Sequence, residues 1–215
     1  MKRFLLCLAA AVLPSAAGDR PAAMAPVALY TQFQQEPSPS TREALQSELE
    51  TIMNPTGLHF EWRSLSDAQS AVATELVVVT FRGRCDVEDL QPLSSISGAL
   101  GWTHVSDGIV LPFSNVDCSA IRSFLQKELL NRPEDDRERI YGHALGRVLA
   151  HELYHVLAGT PNHGSCGIAK SGFTVAELVA NEFVFETAEL RRLVESKAHR
   201  LLQRVAAVPP STHAP

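Results

Sequence analysis

The chain has 215 residues, 45% of them hydrophobic and 20% charged, with a formal net charge of −5. That is the composition of one globular domain with a sizeable core. It carries no basic stripe interleaved with aromatics, which sets nucleic acid aside as a partner. No apolar run is long enough for a stable membrane anchor.

The first segment reads as an export signal. Lys2 and Arg3 precede the apolar run 4–13, and Ser15, Ala16 and Ala17 offer the small residues that a signal peptidase reads. Residues 1–17 are therefore expected to be a cleaved signal peptide, with Cys7 inside it, and the mature protein to be secreted or periplasmic. Residues 18–26 are rich in Ala and Pro and read as a linker, 27–208 as the folded domain, and 209–215 as a disordered tail. Removal of the signal leaves Cys85, Cys118 and Cys166. An oxidising compartment favours pairing, and Cys85 after a strand with Cys118 opening a helix is the pair expected. Cys166 is left over.

Within the domain, 27–33 alternates and predicts a first strand. Pro37, Ser38 and Pro39 break it, and a helix capped by Ser40 or Thr41 runs to about Met53. Asn54-Pro55-Thr56-Gly57 predicts a turn. Leu58, Phe60 and Trp62 alternate as in a half-buried strand. The run Leu76-Val77-Val78-Val79 predicts a central strand within 75–81, buried on both sides. Strands at 100–105 and 109–113 flank Asp107-Gly108, a strong hairpin signal. Asp117 caps a helix over 118–130, which Asn131-Arg132-Pro133 ends.

Pro133 opens the next helix, predicted over 134–158, with Glu134, Asp135 and Asp136 at its positive end. Ile140, Ala144, Val148, His151 and His155 recur at three- and four-residue steps and share a face. Gly142 and Gly146 permit close approach of a neighbour, Gly159 can cap the end, and Pro161 stops continuation. Helical residues are then expected from Thr174 to about Val205.

His151-Glu152-Leu153-Tyr154-His155 carries the chemistry. Two histidines four apart on a helix put both imidazoles on one side, able to share an ion. Glu152, rotated about 100° from His151, can reach water at that ion without ligating it. His163 follows closely, so three of the eight histidines fall between positions 151 and 163. The cofactor expected is Zn2+, and the expected reaction is attack by activated water with Glu152 as general base. Tyr154, Trp62 and Trp102 read as packing or cleft-wall aromatics, His104 and His143 as strand-face and packing histidines, and Arg147 as half of a surface ion pair.

The stretch from His151 to His163, with Gly159 between them, resembles a lengthened metzincin signature, H-E-x-x-H-x-x-G-x-x-H. The resemblance implies zinc on His151, His155 and His163 and Glu152 as base. It also implies a turn at Gly159 and a twisted sheet whose antiparallel edge strand aligns peptide substrate. Each spacer around Gly159 is one residue longer than in that signature. The methionines are Met1, Met24 and Met53 alone, so no methionine turn follows. The third ligand therefore has alternatives. Asn181-Glu182 is similar to the Asn-Glu pair that supplies it in gluzincin peptidases, Glu177 lies nearby, and Cys166 could ligate or block the open position.

The expected fold is α+β and zincin-like: a mixed twisted sheet with a backing helix, an active-site helix and a helical C-terminal part. The expected activity is a zinc metallopeptidase acting on a peptide or protein. The rival is a non-catalytic exported zinc-binding or interaction module on the same scaffold; a third reading is a structural protein with fortuitous histidines.

Overall fold

The computed structural model describes residues 24–67, 73–90 and 98–207. The segments expected to be a signal peptide (1–17) and a tail (209–215) lie outside the described residues. A five-stranded sheet has the order β2-β1-β3-β5-β4. Its strands are β1 (Val27–Phe33), β2 (Phe60–Ser64), β3 (Leu76–Arg82), β4 (Gly101–Ser106) and β5 (Ile109–Asp117). All neighbours are parallel except the β4–β5 hairpin, which leaves β4 as an antiparallel edge. Among the described residues, six α-helices accompany it: α1 (Pro39–Met53), α2 (Cys118–Leu130), α3 (Glu134–Ala158), α4 (Val175–Leu178), α5 (Thr187–Val194) and α6 (Lys197–Ala206). The architecture is compatible with α+β.

Local chemistry explains most boundaries. Asp117 accepts the Ala120 N–H at 2.8 Å and starts α2. Asp107 and Gly108 both take positive φ, 50° and 77°, as the tight hairpin between β4 and β5 requires. Gly159 caps α3 in the left-handed conformation. α1 begins earlier than expected: Ser38 is the cap, accepting from Thr41 N, and Pro39 occupies the first turn instead of breaking the chain. β2 is shifted two residues on, so Leu58 is buried just before it.

β3 is not buried on both sides. Val77, Val79 and Phe81 are fully buried while Leu76 is exposed and Val78 only partly covered, so helices cover one face. α1 packs on α3 where Gly142 and Gly146 stand; a Cβ on Gly142 would lie 2.6 Å from both Ala44 Cβ and the Thr41 carbonyl oxygen. Behind β3, Cys85 and Cys118 form the expected disulfide, tying the segment after β3 to the first residue of α2. No helix among the described residues is long and apolar enough to cross a membrane.

The single C-terminal helix expected from Thr174 is instead three short ones. Thr174 and Glu177 make a capping box, but α4 ends after one turn. Arg147 takes the carbonyls of Glu177 and Ala180 at 2.7 Å each, occupying acceptors that a continuing helix would use. The chain then runs extended, and Ile168 N–H donates to Val184 O at 3.0 Å.

Candidate metal centre

α3 presents His151 and His155 one turn apart on its buried face, and Gly159 turns the chain so that His163 returns to them. One nitrogen from each of the three lies within 4.8 Å of the others. His151 and His155 are buried; His163 is exposed.

The orientation of the two buried rings is fixed by main chain. His151 Nδ1 lies 2.7 Å from Ile168 O, and His155 Nδ1 lies 2.8 Å from Thr160 O. A carbonyl only accepts, so each Nδ1 carries the proton and donates it. Neutral rings so held present lone pairs at both Nε2 atoms, which face each other across 3.1 Å. Burial lowers the pKa of both. For His151 it falls to about 4, the Ile168 contact opposing burial and the neighbouring histidines adding to it. His155 shifts the same way, with the Thr160 contact opposing. Two lone pairs this close are unfavourable alone and favourable around a shared cation. Nitrogens at ~2.0–2.1 Å from one tetrahedral zinc stand about 3.3 Å apart, near the distance seen. The donor set therefore fits: His151, His155 and His163 can hold a metal ion. Three imidazoles suit zinc, copper, iron or nickel alike.

Glu152 is 3% exposed and lies beside these rings without joining their group. Burial raises its pKa to about 7, against an opposing hydrogen bond from Thr103. Its Oε2 accepts from Thr103 Oγ1, on the edge strand β4, at 2.7 Å. Two hollows meet at Glu152, His151 and Gly101. One, of about 270 Å³, is bounded by Trp102, Val105, Pro161 and His163. The other, of about 260 Å³, is bounded by Leu100, Phe124, Val148 and Phe173.

The other ligand candidates are placed elsewhere. Glu177 is bound by Lys170 at 2.5 Å and closes the Thr174 capping box; the Lys170 ammonium chiefly holds its carboxyl down to about 2. Glu182 and Cys166 are exposed and outside the histidine group, and Cys166 is a free thiol near Ser165 Oγ.

Arg147 is a correction. It is fully buried, not at the surface: besides the two carbonyls it grips Glu48 Oε1 at 2.6 Å. It thereby joins α1, α3 and α4 one turn before His151. Tyr154 is buried and accepts from Arg192 at 2.7 Å. His104 pairs with Asn115 on the outer sheet face, and His143 approaches Glu48 at 3.8 Å. Thr103, 49 residues from Glu152, and the carbonyls of Ile168 and Thr160 escape sequence reasoning, because a distant partner leaves no local mark and a main-chain carbonyl carries no residue-type signal.

No family model and no curated protein matches this chain.

Proposed function

We propose that the protein is an exported zinc-dependent peptidase, with His151, His155 and His163 as ligands and Glu152 as general base. The observation that carries this is the facing pair of Nε2 atoms, each ring locked by its own carbonyl, with a buried carboxylate alongside. Zinc held there supplies a Lewis acid that polarises a carbonyl and acidifies water.

The remaining chemistry belongs to the chain. Glu152 takes a proton from the attacking water and returns it to the leaving nitrogen; burial favours the protonated form of this carboxyl, which helps it hold the proton between the two transfers. β4 is the sheet edge beside Glu152, so an extended peptide can add to it through main-chain hydrogen bonds. The two hollows flanking Glu152 have room for side chains on either side of the scissile bond.

The test is zinc content and peptide hydrolysis for wild type, Glu152→Ala and His163→Ala. Glu152→Ala keeps zinc and loses turnover; His163→Ala loses zinc. Hydrolysis that survives Glu152→Ala refutes the mechanism. Stoichiometric zinc without hydrolysis in the wild type favours the non-catalytic module.

A further inference from the structure

Glu152 reaches the cleft from a helix, yet its carboxylate is held by the sheet. Thr103 Oγ1 lies 2.7 Å from Oε2 and 3.2 Å from the Glu152 carbonyl oxygen. Its one proton goes to the nearer, charged acceptor, which makes the stronger bond. Ser114 is the direct cross-strand partner of Thr103 on β5, is 2% exposed, and places its Oγ 2.9 Å from Thr103 Oγ1. With the Thr103 proton committed, Ser114 is the donor in that contact. The result is a directed pair of hydroxyls ending on one carboxylate oxygen.

Two further features shape the seat. At Gly101 a Cβ would stand 2.8 Å from Glu152 Oε1, 2.9 Å from Val148 Cγ1 and 3.0 Å from Asn115 O. A side chain at this position would press on the carboxylate, so glycine leaves it room. The β4–β5 register then shifts between Thr103 and Val105, an irregularity beside the site, and pairing resumes at Val105 with Val110.

We infer that Thr103, backed by Ser114 and given room by Gly101, is the positioning residue for Glu152. It fixes Oε2 and leaves Oε1, which takes no hydrogen bond from the described residues, as the oxygen that exchanges protons with water. This rests on the peptidase reading. Thr103 lines the hollow beside Glu152 but its hydroxyl is spent on the carboxylate, so exchanging that hydroxyl for a methyl of equal size acts chiefly on turnover.

The experiment uses the zinc-loaded full mature protein, with steady-state peptide hydrolysis, zinc content and crystal structures of wild type and Thr103→Val. Thr103→Val lowers kcat by about 10- to 100-fold, the usual cost of losing a group that orients a reacting one. KM and zinc content stay as in wild type. Thr103→Ser, which keeps the hydroxyl, restores most of the rate, and the Glu152 carboxylate leaves β4 in Thr103→Val alone. A Thr103→Val variant with wild-type kcat overturns the positioning role by itself, as does an unmoved carboxylate or a Thr103→Ser variant no better than Thr103→Val. A wild-type protein that cleaves no peptide overturns the peptidase reading and the positioning role with it.

Discussion

At the scale of single residues, Glu152 is the costly one. Its folded pKa of about 7 stands above the ordinary 4.5 because burial disfavours the charged form. The folded state therefore binds the extra proton between those values, and stability is lost as pH rises through them. Glu152→Gln should remove that loss in metal-free protein. The expected gain at pH 8 is on the order of 3 kcal/mol, vanishing at pH 4, read by urea unfolding at both pH values. An equal effect at both pH values would show that charge burial is not its origin. His151 runs the other way: lowered to about 4 by burial, it costs the folded state stability as pH falls from 6.5. The two terms oppose each other between pH 4.5 and 6.5, so metal-free wild type should show little net slope there from this pair. The His151–Glu152–His155 spacing was legible because helical periodicity alone puts two imidazoles on one side. Thr103 and Ser114 were not, because an ordinary strand Thr gains its meaning only when the hairpin is laid against α3.

At the scale of elements, the best-read features carry their own punctuation: Asp117 before α2, Pro133 and Gly159 around α3, Asp107-Gly108 between β4 and β5. Where boundaries depend on distant partners, the sequence misleads. α4 stops because Arg147, on another helix, takes its carbonyls, and β3 is half covered because only one face meets helices. The α1–α3 contact gives a sharp test. At Gly142 a side chain would meet the rigid main chain of α1 at Thr41. Gly142→Val should destabilise by about 1–3 kcal/mol or more, as overpacking does, whereas Gly159→Asn should cost far less, since Asn tolerates a left-handed cap. Denaturant midpoints of the two variants measure the contrast; equal losses would mean that α1 and α3 are not in close contact at Gly142.

At the scale of the whole molecule, two constraints hold the sheet and helices around the histidines. One is the disulfide, closing 33 residues of sequence between β3 and α2. Its loss in a Cys85→Ser/Cys118→Ser double variant should lower stability by about 2–4 kcal/mol in thermal or urea unfolding, while zinc affinity in the folded protein is kept. An unchanged midpoint would show that the pair is not linked in the folded protein. The other is the buried Arg147 clamp, which ties the C-terminal part to the helix bearing His151 and His155. Composition led to the expectation of one globular domain and the N-terminal segment to that of export; the disulfide is consistent with an oxidising environment. How the C-terminal part wraps the site was not readable, because it is set by contacts of Arg147 with Glu177 and Ala180 and of Ile168 with His151 and Val184 rather than by any local pattern.

The central claim is that these three imidazoles grip one ion. Its most direct measurement is X-ray absorption at the zinc edge on purified, zinc-equilibrated mature protein, with metal stoichiometry by mass spectrometry. The account predicts one zinc per chain with three imidazole nitrogens at ~2.0–2.1 Å and one further light-atom ligand, reduced to two imidazoles or to no zinc by His163→Ala. Sulfur in the coordination sphere, or zinc uptake unaffected by replacing both His151 and His155, would contradict it.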